Sequence, residues 1–267
     1  MEIYQYFGFF LSIFAGISLG MLGSGGSVLL VPVFVYFMGI EPTLATAYSL
    51  FVVGATSLVG GFQKAKQNLV DFKKVILFGI PTVITVFITR ISIIPKIPNV
   101  IYTSEIFTLE KPVLIMIVFA VVMIIASIKM INPSDIPIVL KDEKLNYYKI
   151  QLYGVFIGLL SGFVGAGGGF LIIPVLLFSL KIPMKMAVGT SLFIVASQSL
   201  LGFLGDIEGN QHIDWKLLIV ITICSITGVF IGNFISKKID GSKLKTTFGW
   251  FVLVMGIYII IKEFMLT

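Results

Sequence analysis

Twice the sequence reads Gly-x-Gly-Gly and then, after five more residues, proline: Gly23-Ser24-Gly25-Gly26 with Pro32, and Gly165-Ala166-Gly167-Gly168 with Pro174. Each glycine run interrupts a long apolar stretch. Non-helical backbone is tolerated at membrane depth only where protein surrounds it or where it lines a cavity. Paired interruptions in the two halves of a membrane protein therefore indicate a transporter binding site.

The two glycine runs belong to an internal duplication. The alignment that pairs Gly23 with Gly165, called the repeat register below, gives 18 identities without a gap over residues 14–61, among them six glycines and the proline. Chance explains a few apolar identities, but not so many glycines in one register. We divide the chain into a first repeat, 1–132, a cytoplasmic linker, 133–147, and a second repeat, 148–267.

The composition is that of a membrane protein. Hydrophobic residues make up 57% of the chain and charged residues 12%, and the mean hydropathy is +1.07. A soluble domain carries about twice that share of charge. The single cysteine, Cys224, excludes a disulfide framework and a multi-cysteine metal site. We expect no cofactor and no metal.

Ten apolar segments are predicted as membrane-embedded helices of an all-α fold, at 4–22, 27–40, 43–62, 72–91, 112–131, 148–164, 169–181, 184–204, 215–236 and 246–264. The second and seventh are short, since about 14 residues of helix cover roughly 20 Å of a ~30 Å hydrocarbon core. Each glycine run is then either a break in one crossing helix or the tip of a hairpin.

The distribution of lysine and arginine favours hairpins. With single broken helices the 19 basic residues divide 10 to 9 between the two sides of the membrane, whereas with hairpins they divide 14 to 5. The positive-inside rule then puts both termini outside in a multi-pass protein of the cell membrane. Five segments per repeat, an odd number, make the second repeat inverted relative to the first. Because no Lys or Arg precedes Lys64, the first segment lacks the basic region of a signal peptide, and we expect it to stay as a membrane helix.

The glycine runs suit an anion. The first amides of a helix have no intrahelical partner, and their partial positive charge attracts anions. The segment after each hairpin presents a small and polar face that includes Ser49 in the first half and Ser191 and Gln198 in the second. Close helix packing explains the small residues equally well, whereas the bulky amide of Gln198 favours a cavity. No Lys or Arg is expected at membrane depth, so neutral groups would bind the anion.

The doubled glycine-proline pattern, together with Ala187-Val188-Gly189-Thr190-Ser191-Leu192, resembles the TauE/SafE group of anion transporters, and the resemblance covers essentially the whole chain. It implies small sulfur oxyanions or organosulfonates, such as sulfite or thiosulfate, as substrates. The inverted repeats predict that these substrates are moved by alternating access. The first half departs from the pattern, with Tyr48 where a threonine is expected.

The predicted substrate-binding residues are Gly23, Ser24, Gly25, Gly26, Ser27 and Ser49 in the first half, and Gly165, Gly167, Gly168, Gly169, Thr190, Ser191 and Gln198 in the second. The sequence contains no HExxH motif and no nucleophile elbow, so we expect no enzyme. An anion-selective channel and a carrier for a non-sulfur organic anion remain as alternatives. The expected partners are the anion and the lipid bilayer. A homodimer through lipid-facing helices is compatible with the sequence, and nucleic acid is not expected, because the net charge of +6 follows from the topology.

Overall fold

The fold is described from a computed structural model, which covers residues 3–103, 108–132, 147–165, 167–178, 180, 182–207, 213–236 and 241–266. For some of these residues, among them Ser24, Gly25 and Gly26, only the backbone is described. The predicted linker 133–147 lies outside the described residues except for Tyr147, which begins a helix.

Ten α-helices follow one another along the described chain: α1 Ile3–Leu22, α2 Leu30–Pro32, α3 Pro42–Ala65, α4 Phe72–Ile88, α5 Lys111–Ile131, α6 Tyr147–Val164, α7 Gly169–Phe178, α8 Met184–Ile207, α9 Trp215–Ser236 and α10 Gly241–Leu266. Gly23–Leu29 forms a 3-10 helix, and π-helical turns continue α2 over Val33–Phe37 and α4 over Thr89–Ile93, with a 3-10 turn at Ile94–Lys96. Each predicted apolar segment coincides with helical structure, and the all-α fold is confirmed.

Among the described residues, four helices are long and apolar enough to cross a membrane: Pro42–Ala65, Phe72–Lys96, Lys185–Ile207 and Trp215–Ser236. Their ends carry recognisable start signals. Glu41 accepts a hydrogen bond from the Leu44 amide at the start of α3, and Asp71 accepts one from the Lys74 amide at the start of α4. Such caps satisfy amides that have no partner inside the helix.

A short antiparallel hairpin, β1 Val100–Thr103 and β2 Thr108–Glu110, joins α4 to α5. The register pairs Val100 with Glu110 and Thr103 with Thr108. No element is predicted between the apolar segments 72–91 and 112–131, so this hairpin is an addition to the predicted fold.

The first glycine run reverses the direction of the chain. The Phe37 ring lies 5.8 Å from the Phe7 ring, measured between centroids, and a β-carbon on Gly8 would lie 2.8 Å from the Met38 side chain. The end of the π-helical segment therefore returns to the beginning of α1, as in a hairpin.

Helices of the two halves pack against each other closely. Gly16 and Gly228 remove the side chain where α1 meets α9, so that a β-carbon at either position would collide with a backbone carbonyl of the other helix. Gly154 and Gly158 have the same role where α6 meets α4. Glycines four residues apart lie on one helix face and let two backbones approach, as is typical of membrane helices.

Helices α3 and α8 cross in opposite directions at the centre of the molecule. A β-carbon on Gly54 would lie 2.7 Å from Leu200, and one on Gly60 would lie 3.4 Å from Leu192. Residue numbers thus rise along one helix as they fall along the other. Leu50 and Ile194 of these helices, with Ile172 of α7, lie in the main hydrophobic core.

Candidate functional site

The second glycine run forms a tight turn between α6 and α7. Backbone φ angles are +67° at Gly165, +67° at Gly167 and +56° at Gly168, in the left-handed region that favours glycine. The Gly165 amide donates to the Ser161 carbonyl at 2.9 Å, and the Gly168 carbonyl accepts from the amides of Leu171 and Ile172 at 3.0 and 3.2 Å. These bonds fix the start of α7 in space.

Gln198 brings the middle of α8 against this turn. Its side chain is fully buried, and its amide nitrogen donates to the Gly167 carbonyl and, at 3.2 Å, to Ser161 Oγ. The amide oxygen of Gln198 and the hydroxyl of the neighbouring, equally buried Ser199 have no hydrogen-bond partner among the described residues. Both are close to the run, since a β-carbon on Gly167 would lie 2.7 Å from Ser199 Oγ and one on Gly168 would lie 3.4 Å from Gln198 Nε2. Two buried polar groups with unused hydrogen-bonding capacity therefore lie beside the predicted binding residues Gly167 and Gly168.

A basic residue of a predicted span is buried inside the protein, where the sequence predicts only neutral groups for anion binding. Arg90 belongs to the π-helical turn within the candidate span Phe72–Lys96, and its side chain is only 1% exposed. Charge counting treated it as a topology signal at the outer end of a helix. A buried guanidinium needs a counter-charge, because removing an ion from water is costly.

Asp206 supplies that counter-charge. Arg90 Nη1 lies 3.1 Å from Asp206 Oδ2 and donates a further hydrogen bond, at 3.1 Å, to Thr46 Oγ1. Thr46 belongs to α3, Asp206 to α8 and Arg90 to the π-helical continuation of α4. The ion pair and the hydrogen bond to Thr46 therefore join three helices. It also adjoins the glycine run: a β-carbon on Gly165 would collide with the Thr46 side chain and with Arg90 Nη2.

The first glycine run is built differently from the second. Gly23 has φ +70° and begins the 3-10 helix, where a β-carbon would lie 2.7 Å from Val188 Cγ1. Ser27 is fully buried. Ser24, Gly25 and Gly26 are described by their backbone alone, so their predicted binding role stays a prediction.

Two of the predicted hydroxyl ligands have structural partners. Thr190 Oγ1 accepts a hydrogen bond from the Asp71 amide at 3.0 Å, and Ser191 Oγ donates to the Val188 carbonyl at 2.9 Å. Thr190 is eight residues before Gln198 in α8, about 12 Å along the helix. Ser49 is fully buried, and within the described chain its hydroxyl has no partner.

Tyr48, which breaks the repeat pattern, accepts a hydrogen bond from the amide of a helix-capping aspartate, as Thr190 does in the second half. Tyr48 is the equivalent of Thr190 in the repeat register, and its hydroxyl accepts a hydrogen bond from the Asp214 amide at 2.7 Å. Asp71 and Asp214 each cap the helix that follows. Partial burial alone would raise the pKa of the Asp71 carboxyl, but hydrogen bonds from Lys74 and the charge on Lys74 lower that pKa below its usual value. Tyr48 and Thr190 thus hold corresponding helix starts, a role that a search for substrate ligands missed.

An apolar cavity of about 340 Å³ lies away from the second glycine run, lined by residues of α1, the first hairpin and α10 such as Phe14, Pro32 and Met255. Ser18 is the polar residue in its lining. A cavity so poor in donors does not suit an anion, because an unpaired charge in apolar surroundings is costly.

Comparison with known proteins places the chain among membrane transporters. The family model described as "Sulfite exporter TauE/SafE" matches residues 8–259. A probable membrane transporter protein of Xylella fastidiosa (strain 9a5c) is 26% identical over 251 residues, which cover 92% of this chain and 90% of the relative. The probable membrane transporter protein MJ0441 of Methanocaldococcus jannaschii is 27% identical over 269 residues, covering 94% and 95% of the two chains.

The relative YunE of Bacillus subtilis, also described as a probable membrane transporter protein, is 24% identical over 271 residues, which cover 94% of this chain and 93% of the relative. No solved structure matches the chain significantly. The family match extends over both glycine runs and over the helices that surround them. This chain belongs to the TauE/SafE family of membrane transporters.

Proposed function

We propose that the protein carries a small sulfur-containing anion, such as sulfite, thiosulfate or an organosulfonate, across the membrane by alternating access, and that the anion binds at the second glycine run. The printed description of the family, sulfite exporter, favours this class of substrate. The observation that carries the proposal is the convergence of the buried Gln198 and Ser199 on the Gly167-Gly168 turn, at the start of α7.

Physical chemistry supports an anion at this place. Helix α7 begins at Gly169, and the positive end of its dipole faces the turn. Gln198 uses its amide nitrogen to hold the turn and Ser161, and the unpaired hydroxyl of Ser199 beside Gly167 is a side-chain donor left for a ligand. A hydroxyl held by the packed α8 helix binds more tightly than a mobile one, because its ordering cost is met during folding.

Alternating access is supported by how the two halves contact each other. In the repeat register α1 corresponds to α6 and α4 to α9, and the two close glycine contacts join α1 to α9 and α6 to α4. The corresponding helices α3 and α8 cross in opposite directions. Exchange of the halves thus reproduces the contacts, which is the relation expected of inverted repeats.

The test measures anion binding by the full chain in detergent. Sulfite, thiosulfate, sulfate, methanesulfonate, acetate and chloride are compared for the rise in melting temperature that each produces, since a ligand that binds the folded state stabilises it. Counterflow in proteoliposomes then separates carrier from channel, because a substrate load on the far side accelerates uptake only in a carrier.

Gly168→Ala tests the location. A β-carbon there would lie 2.7 Å from Ser161 Oγ, and the φ of +56° adds backbone strain. Gly39→Ala is the matched control, because Gly39 has φ +67° with nothing within 4 Å of the added carbon. We expect Gly168→Ala to lose anion-induced stabilisation while Gly39→Ala retains it. Equal anion binding by both variants would move the site away from the second run.

A further inference from the structure

Arg90 has a buried donor edge that the protein itself does not use. Nη1 makes the contacts with Asp206 and Thr46, whereas Nε and Nη2 have no hydrogen-bond partner among the residues that the structure describes. The side chain is 1% exposed. Leaving two donors of a buried charged group unpaired is costly, and such a group in a native structure calls for an explanation.

The geometry of this edge suits an oxyanion. Nε–H and the outer Nη2–H of a guanidinium point the same way, as a fork that matches two oxygens bound to one atom. The plane of the fork is set by Nη1, which Asp206 and Thr46 hold from the α8 and α3 sides. Gly165 faces Nη2, and only the absence of a β-carbon leaves that space to the guanidinium.

We propose that the Nε–Nη2 edge of Arg90 binds two oxygens of the transported anion, next to the Gly165 turn. This inference rests on the proposed function and names the ligand class more narrowly: anions with at least two oxygens on one sulfur or carbon atom, in preference to halides. Asp206 balances the guanidinium, so that the site is close to neutral before the anion binds. A lone buried cation would hold the anion more firmly and oppose its release.

A purely structural ion pair makes a different prediction. If Arg90 only ties α4 to α8, the contact through Nη1 is all that matters, and a lysine ammonium can replace it. Binding of the anion through the Nε–Nη2 edge needs the planar pair of donors, which lysine lacks. Arg90→Lys therefore separates the two roles.

The experiment measures the dissociation constants of sulfite, methanesulfonate and chloride for the purified full chain by isothermal titration, with the melting temperature of the unliganded protein recorded for each variant. For Arg90→Lys we expect about 10- to 100-fold weaker binding of sulfite and methanesulfonate, the range for lost hydrogen bonds to a charged group. The unliganded melting temperature should stay near that of the wild type. Lys96→Gln is the control for charge, because Lys96 is an exposed cation later in the same span.

The double variant Arg90→Gln/Asp206→Asn removes both charges and avoids a buried unpaired ion. It should fold and should lose measurable affinity for sulfite and methanesulfonate. Unchanged affinity in Arg90→Lys would overturn the role of Arg90 and leave the proposed function standing. Failure of Arg90→Lys and the double variant to fold would also overturn it, because the fold itself would then require the guanidinium. Absence of binding by the wild type to every anion would overturn the proposed function and this inference with it.

Discussion

Replacement of Gln198 by alanine removes the contact that joins α8 to the second glycine run. The wild-type amide donates to Ser161 Oγ at 3.2 Å and to the Gly167 carbonyl, with all three groups in the interior. Alanine retains helix propensity, so the effect comes from the lost amide and the space that it filled.

The magnitude follows from the two bonds. Each buried hydrogen bond contributes about 0.5 to 1.5 kcal/mol, and stranding the Gly167 carbonyl adds a desolvation cost of roughly 1 to 3 kcal/mol. We therefore expect Gln198→Ala to lower the free energy of unfolding by about 2 to 6 kcal/mol. Ser161→Ala removes one of the two bonds and should cost about 0.5 to 1.5 kcal/mol. In the double variant the loss of unfolding free energy should be smaller than the sum of the two single losses by a similar amount, because both single variants remove the same Gln198–Ser161 hydrogen bond.

Unfolding in detergent micelles, followed by circular dichroism for the four members of this double-mutant cycle, provides the measurement. Ser197→Ala is the control: Ser197 precedes Gln198 in α8, but it is exposed, and its hydroxyl donates to the Phe193 carbonyl of its own helix. Surface changes of this kind usually stay within about 0.5 kcal/mol. If Gln198→Ala were no more destabilising than Ser197→Ala, or if the cycle gave no coupling with Ser161, the contact would not hold the turn and the reasoning would fail.

Two further predictions concern the helix starts and the topology. Tyr48→Phe and Thr190→Val should each lower the free energy of unfolding by about 1 kcal/mol, through loss of the acceptor for the Asp214 or Asp71 amide, and leave sulfite affinity unchanged; a large loss of affinity in either would restore that residue as a ligand. In a Cys224→Ser background, Tyr102→Cys in the β-hairpin should react with an impermeant thiol reagent from outside, and Gln67→Cys in the lysine-rich loop should not. Labelling of both from the same side would contradict the hairpin topology.

Much of the fold could be predicted, because the spacing of glycines and the length of each apolar segment are local signals. The interruption predicted at the second glycine run separates α6 from α7, and the positive φ angles lie at Gly165, Gly167 and Gly168. The segment at 215–236 coincides with α9 to the residue. These features depend on neighbours in sequence or on the repeat register, both of which are visible without a structure.

The ion pair could not be found in this way. Arg90 and Asp206 are far apart in the sequence, and each is near the end of an apolar segment, where a charge ordinarily contacts the membrane surface. Only the parallel packing of α4 on α8 brings them together. The repeat was no guide either, because the repeat register relates Arg90 to Gly232 and Asp206 to Lys64.

The close contact of α1 with α9 has a consequence for synthesis of the protein. Gly16 meets Ser225, and Ser225 Oγ donates to the Ser12 carbonyl at 3.2 Å, yet these residues are about two hundred positions apart. At about 5 to 20 residues per second a ribosome needs roughly 10 to 40 seconds to span that interval. Throughout that time the glycine face of α1 is in the bilayer without its partner helix. A nascent first half therefore needs lipid, an insertion factor or a chaperone on that face, and co-expression of two separate half-chains should rescue assembly better than either half made alone.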